Sequence, residues 1–591
     1  MAKWMLRRNG TDSNSIARNI NRSEIIVDIL ANRGIREEDE MRSFLNPCID
    51  DLHDPNLMKD MGSGIGIVKQ HIESKSTIAV YGDYDVDGVM SCYILYRALL
   101  RCGADVIYYI PHRELEGYGM NSQSVENLHN QGIKLILTCD NGISSIEQIE
   151  RAKSLGMDVV VTDHHELPFE ENEDGSRKEI MPCADAVINP KRPDCPYPFD
   201  ILCAGAIAYK FARVLYKEFG IPESEADSYI EYAAMATVCD VVDLIGENRI
   251  IASVGMKMLR ETENIGLNAL VQETGIEKSK IGTYHIGFVI GPCINATGRL
   301  EMAAIAMELL LCEDNNEAQA LAKKLVGLNE ERKQMTEDGV ERVRHIIEAG
   351  SISRDKVILA VDEGIHESIA GIVAGRIKEQ YHLPTIVLTR GREMLKGSGR
   401  SIEEYNMFEG LMQCKSLISK FGGHPMAAGL SMEEENVDEL RRKLNEYCRL
   451  SFEEMERTIR IDKRLSLESI SYDIVEQIKS LEPFGKGNSA PIFAEKGIRV
   501  TGVRILGKNK NVLRLSCVFG KTCSQIDAIS FDGVEKFKEL IESTMGEDEF
   551  NQIASGKKIS IAMDMVYTIG INEYMGSKKL QLLLKDFRLS K

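Results

Sequence analysis

Three short, apolar, β-prone runs each lead straight into acidic or histidine residues, and this constrains the fold more than any other feature of the chain. Thr77–Tyr81 (TIAVY) is followed by Gly82 and then Asp83-Tyr84-Asp85-Val86-Asp87-Gly88. Lys134–Cys139 (KLILTC) is followed by Asp140. Asp158–Thr162 (DVVVT) is followed by Asp163-His164-His165-Glu166. A further apolar run lies at Ala184–Asn189, and a helical stretch, Val89–Cys102, follows the first acidic loop. Apolar strands alternating with helices predict a parallel sheet covered on both faces. In open α/β sheets, sites gather beyond the carboxyl ends of the strands. The pattern therefore aims several ligands at one crevice.

The rest of the chain changes character twice. Asn315–Gly350 is polar with helical periodicity and predicts a connecting helix. A second α/β unit is expected from Val357 (VILAV) to about Leu450. From about Glu456 the pattern turns to short alternating strands, at Gly497–Leu506, Val512–Val518 and Lys558–Met563. Such strands predict a small β-barrel, with a sandwich as the alternative. A chain of 591 residues allows three to five domains at roughly 100–200 residues each.

Composition narrows the classes. With 43% hydrophobic and 28% charged residues, the chain reads as an ordinary globular protein. The net charge of −19 argues against a protein that coats duplex DNA, because nonspecific phosphate binding needs cationic surface. It leaves room for an enzyme holding one strand in a local basic groove. The 14 cysteines form no Cys-x-x-Cys pair, which points to reduced cytoplasmic thiols packed as small hydrophobes. The N-terminus has no apolar stretch behind its positive charges, so no signal peptide is expected. No run approaches the ~18 apolar residues of a membrane span.

The acidic motifs are stronger together than apart. Asp83, Asp85 and Asp87 alternate as in the first half of an EF-hand loop, but Ile94 stands where that loop needs a bidentate Glu, and a strand precedes the loop rather than a helix. Asp140-Asn141-Gly142 taken alone is more often a plain turn. Adjacent histidines, as at His164 and His165, are seldom a packing solution. Asp240, in ATVCDVVDL, lies at the end of a helical stretch and taken alone is equally a buried, capped carboxylate. Mixed Asp and His donors suit manganese or a similar borderline metal better than calcium. Two such ions about 3.5–4 Å apart can activate water and stabilise an in-line attack on phosphorus. That chemistry needs a bridging carboxylate, for which Asp140 is the candidate.

On Asp83–Gly88, Asp140, Asp163–His165 and Asp240, in that order, the chain resembles the DHH phosphoesterase superfamily. The resemblance implies that Asp85, Asp87, Asp140, His164 and Asp240 hold Mn2+ or Mg2+, two ions per site. It implies that Asp163 and His165 orient the site or aid proton transfer. One departure is Tyr81, where many members have His, which leaves the metal nearest Asp85 weaker or completed by water. Further motifs resemble the RecJ-type exonucleases: Gly291-Pro292-Cys293-Ile294-Asn295-Ala296-Thr297-Gly298-Arg299, Ser398-Gly399-Arg400, Gly422-Gly423-His424, Pro483–Asn488 and Phe44–Met61.

The glycines of these motifs imply turns whose amides approach a phosphate. Arg299 and Arg400 can fork onto phosphate oxygens, and His424 is implied at the scissile phosphate beside Gly422 and Gly423. Arg113, with Ser398 and Arg400, is implied to hold a terminal 5′-phosphate, although a surface salt bridge is an alternative for Arg113. Tyr567 and Tyr574 are candidate base-stacking residues, with core or loop positions as the plainer reading, and Trp4 is expected far from the C-terminal region.

The implied organisation is an N-terminal segment (1–60), a parallel-sheet catalytic domain (61–314), a connecting helix (315–350), a second smaller α/β domain (351–455) and an OB-like barrel (456–591). The implied activity is 5′-to-3′ hydrolysis of single-stranded DNA in repair and recombination. A monomer in the cytoplasm is expected, with no membrane association and with a single-strand-binding protein and a helicase as candidate partners. Two alternatives remain at this stage: a small-substrate phosphoesterase of the same superfamily, for which residues 483–591 discriminate, and a noncatalytic scaffold descended from a nuclease.

Overall fold

A computed structural model describes residues 2–590 apart from 114, 118, 172–176, 351–353, 452, 508, 521, 522 and 575. Tyr118 and the side chain of Tyr574 thus lie outside the described residues. The chain forms two compact units, Cys48–Glu456 and Met1–Pro47 with Arg457–Lys591.

In the first unit, five parallel strands run in the order Val106–Tyr109, Ile78–Tyr81, Leu135–Cys139, Asp158–Thr162, Ala186–Ile188. Successive side chains on a strand point to opposite faces. Val80, Leu135 and Leu137 accordingly join one core, while Ala79, Tyr81 and Ile136 join the other. Both faces are covered, which is why these strands read as unbroken apolar runs. The second strand in sequence lies outside the first, so the chain reverses direction between Ile78–Tyr81 and Leu135–Cys139. That reversal opens a crevice beyond the strand ends, where Asp83–Asp87 and Asp140 begin.

A single 35-residue helix, Asn315–Ala349, starts at Asp314, whose carboxylate caps the amides of Asn316 and Glu317. It leads into a five-stranded mixed sheet in the order Lys420–His424, Ala427–Met432, Leu395–Arg400, Thr385–Arg390, Ile358–Val361.

In the second unit, strands Phe493–Leu506, Val512–Phe519, Ser524–Ser530, Ser577–Leu589 and Ile561–Tyr574 pair in a ring closed by Phe493–Leu506 against Ile561–Tyr574. The barrel expectation holds, and the strand expected at Lys558–Met563 instead runs Ile561–Tyr574. Trp4 corrects its expected remoteness. Strand Lys3–Leu6 pairs with Thr458–Ile461, the Trp4 indole donates to Asp586 at 2.7 Å, and Arg588 lies 4.2 Å over its ring. Tyr567 is fully buried and donates to the Leu465 carbonyl at 2.6 Å. It is a core residue, so it cannot stack on bases. Among the described residues no helix is long and apolar enough to cross a membrane.

Candidate metal centre and phosphate pocket

The acidic loop is shaped by packing and capping. Asp85 is the N-cap of helix Val86–Arg101 and accepts from the Gly88 amide at 3.0 Å. A Cβ at Gly88 would lie 2.5 Å from the Asp83 carbonyl, so only glycine lets the helix start this close to the loop. Asp87, buried on the first turn, accepts from the Ala204 and Gly205 amides at 2.8 and 2.7 Å. These are the first amides of helix Ala204–Glu218, where unpaired N–H groups favour a carboxylate. Asp140 leaves its strand with φ 62°, a left-handed conformation that Asp tolerates.

Asp163 accepts from the Ile143 amide (2.9 Å), the His164 amide (2.7 Å), the His165 amide (3.1 Å) and His165 Nδ1 (2.8 Å). Burial alone would raise its pKa, but these bonds and the nearby imidazoles hold it down to about 2. An ionised carboxylate only accepts, so His165 carries its proton on Nδ1 toward Asp163. Burial works against a charged His165, yet the Asp163 bond and the surrounding acids raise its pKa to about 9. His164 is the reverse case, lowered to about 3 by burial and by its neighbour His165.

His164 bridges the cluster. Its Nε2 lies 3.1 Å from Asp140 and 3.5 Å from Asp87, and its Nδ1 lies 3.8 Å from Asp240. Three groups of side chains each offer ligand atoms within 4.8 Å of one another: Asp83, Asp85 and Asp140; Asp87, His164 and Asp240; Asp140, His164 and His165. Burial, then mutual repulsion, pushes the carboxyls of Asp83, Asp87 and Asp140 well above the usual range. Asp83 Oδ1 is buried with no hydrogen-bond partner. Crowded acids with an orphaned oxygen and mixed carboxylate–imidazole donors fit a divalent transition metal.

The structure thus brings Asp85, Asp87, Asp140, His164 and Asp240 into overlapping groups and adds Asp83. The alternation Asp83-x-Asp85-x-Asp87 was the available signal for it. Tyr81 belongs to none of these groups. Its hydroxyl bonds Ser124 at 3.0 Å and the Gly119 carbonyl at 3.3 Å.

A second like-charged cluster is basic. Arg113 lies 5.0 Å over the Tyr84 ring. The Arg299 guanidinium donates to the Ser368 carbonyl at 2.6 Å, and its pKa is lowered to about 10 by burial and then by Arg113. Arg400 donates to Ser398 Oγ at 3.1 Å and is lowered by burial and then by the same Arg113. A Cβ at Gly371 would lie 2.6 Å from the Arg400 guanidinium and 2.7 Å from Ser398 Oγ, so glycine makes room for the pair.

The glycines of residues 291–299 do not form the expected phosphate-binding turn. They lie in helix Gly291–Leu300. A Cβ on Gly291 would sit 2.4 Å from Cys239 Sγ, and one on Gly298 would sit 2.4 Å from the Tyr84 carbonyl. Their absent side chains let this helix press on the acidic loop, where Asn295 Oδ1 accepts from the Val86 amide at 3.1 Å. Gly422, Gly423 and His424 lie on an exposed strand paired with Ala427–Met432. None of the three metal-ligand groups contains His424.

Compared with known proteins, residues 77–237 match the DHH family N-terminal domain, 354–450 the DHHA1 domain and 461–586 the RecJ OB domain. The chain is 33% identical to the single-stranded-DNA-specific exonuclease RecJ of Bacillus subtilis (strain 168), covering 100% of this chain and 71% of that one. It is 30% identical to the protein of the same name from Dickeya dadantii (strain 3937), over 94% of each. It shares its fold with the crystal structure of RecJ in complex with Mn2+ from Thermus thermophilus, at a TM-score of 0.81 and 23% identity, covering 100% of this chain and 80% of that one.

Proposed function

Because this chain belongs to the RecJ family of single-stranded-DNA-specific exonucleases, we propose that it removes nucleotides from the 5′ end of single-stranded DNA using two divalent cations held by Asp85, Asp87, Asp140, His164 and Asp240. The observation that carries this reading is the set of three acid and histidine groups linked into one cluster, Asp140 joining two of them and His164 joining two. When bound, a pair of Mn2+ or Mg2+ ions supplies an activated water and stabilises charge on the attacking and leaving oxygens of phosphorus.

The chain's own residues supply the rest. Asp87 is held by two helix amides and Asp163 by four donors, so both are positioned before substrate arrives. Asp163 holds the Nδ1 proton of His165 and so orients its ring within the cluster. Arg113, Ser398 and Arg400 anchor the terminal 5′-phosphate, since an anion relieves the repulsion by which Arg113 lowers the pKa of Arg400 and of Arg299. Arg299 belongs to the same basic cluster. His424, with Gly422 and Gly423, serves the scissile phosphate from the exposed hairpin. Anchoring the end ahead of the metal site sets the polarity.

The barrel at 456–591 offers a groove for single-stranded backbone, whereas 61–314 is the catalytic domain, 315–350 the connector and 351–455 the substrate-binding domain. The segment 1–60 supports the family architecture. We place the enzyme in the cytoplasm as a monomer acting in DNA repair and recombination. A helicase and a single-strand-binding protein are the partners this reading implies, because an enzyme that acts on single strands needs duplex opened for it.

The test uses end-labelled single- and double-stranded DNA with Mn2+ or Mg2+, resolved by length over time. A bulky 5′ block stops digestion and a 3′ block does not. The reverse pattern overturns the polarity, and absence of turnover overturns the nuclease reading.

A further inference from the structure

Two helices of the first unit, Asn315–Ala349 and Glu367–Tyr381, share an apolar seam that includes Val343, Ile347, Val373 and Ile377. They approach closely at Gly339, where a Cβ would stand 3.0 Å from Val373. Beside this seam they enclose a cavity of about 670 Å³, within the ~300–1,000 Å³ of small-molecule sites. None of its lining residues belongs to the acidic cluster or to the group Arg113, Arg299, Ser398 and Arg400.

The lining carries charges that the packing of two helices does not need. Arg332 is half-buried and Arg376 is exposed, and among the described residues neither guanidinium has a carboxylate within ion-pair distance. Arg332 uses its Nε on Asn329 Oδ1 at 3.1 Å, which leaves its two terminal nitrogens open. Burial lowers the Arg332 pKa, and Arg376 lowers it further. The two cations therefore repel each other, and an anion between them removes that repulsion. Two acids share the lining. Glu337 and Glu379 are exposed and are likewise without an ion-pair partner among the described residues. Open cations and open acids around one cavity suit a ligand that has both an anionic group and hydroxyl donors. Guanidinium groups match phosphate oxygens in pairs, and a carboxylate accepts from a ribose hydroxyl as an acidic residue does for bound dinucleotides. A bare inorganic anion would leave the acids facing it.

We propose that this cavity binds a ribonucleoside polyphosphate, with its phosphates on Arg332 and Arg376 and its ribose hydroxyls on Glu337 and Glu379. The site is separate from the one assigned to the end of a DNA strand, and it stands whether or not the nuclease reading does. The lining does not choose the base, so adenosine diphosphate serves as the probe.

The test is calorimetric titration of adenosine diphosphate into the purified full-length protein. The wild type is expected to bind it with a Kd below about 1 mM. Arg376→Ala, an exposed position, is expected to weaken that binding about 10- to 100-fold with an unchanged melting curve. Arg400→Ala, on the other basic cluster, is expected to keep it. The 2′,3′-dideoxy analogue is expected to bind the wild type about 10-fold more weakly or worse, and to match adenosine diphosphate in the double variant Glu337→Ala/Glu379→Ala. Absence of binding to the wild type, unchanged affinity in Arg376→Ala, or loss in Arg400→Ala overturns the site. Equal wild-type affinity for the diphosphate and its dideoxy analogue overturns the assignment of the acids to ribose.

Discussion

The acidic cluster and the arginine cluster are both gatherings of like charge, but the chain builds them in different ways. The acids are fixed by backbone: Asp140 and Asp163 directly follow strands, Asp85 caps a helix, and Asp87 is held by the first amides of another. The arginines reach their meeting point on long side chains from three separate segments, around 113, 299 and 400. Backbone-fixed acids suit a rigid cation site, whereas side-chain-built arginines suit a pocket that an arriving phosphate would order. The first should tolerate almost no change, and the second should lose affinity in steps.

The largest expected effect is on the rigid side. Asp140→Ala should reduce cleavage by more than about 10³-fold while leaving strand binding mostly intact, as read by turnover and by anisotropy of a labelled strand. Near-normal turnover would remove Asp140 from the cation site.

Arg400→Ala should follow. Loss of charge-assisted hydrogen bonds costs about 1.5–3 kcal/mol, so cleavage of 5′-phosphorylated strands should fall about 10- to 100-fold, with a smaller loss on 5′-hydroxyl strands. Arg400→Lys should restore little, because an ammonium lacks the planar fork. Equal losses on both ends would separate Arg400 from the terminal phosphate.

Gly298→Ala probes how the two clusters are joined, since Arg299 is its neighbour and the Tyr84 carbonyl would lie 2.4 Å from the new Cβ. Overpacking of about 1–3 kcal/mol should lower the melting temperature and raise the Mn2+ concentration needed for half-maximal activity. An unchanged metal requirement would mean that the helix does not brace the acidic loop. The smallest effect is expected for Tyr81→Phe. It removes the hydroxyl's bonds, among them those to Ser124 and Gly119, a stability loss of about 0.5–1.5 kcal/mol with the metal requirement unchanged.

This contrast also explains what could be read in the sequence. Acids and histidines that follow a strand at once share its local signal, so Asp140, Asp163 and His164 stood out, and the apolar runs gave the parallel sheet. Contacts between distant segments carry no local signal. Strand Lys3–Leu6 pairs with Thr458–Ile461 across most of the chain, which is why the place of Trp4 was not legible. Glycine is ambiguous for a related reason. It permits a turn, but at Gly291 and Gly298 it permits close helix packing instead, and only the facing Cys239 and Tyr84 distinguish the two. Asp83 needed the third dimension to join Asp140 in one group.

Calorimetric titration of Mn2+ into the metal-free protein tests the central claim most directly. Two ions per chain should bind the wild-type enzyme, and Asp140→Ala should lose at least one of them while its melting curve stays cooperative. Equal stoichiometry in both proteins, or no binding to the wild type, would contradict the account.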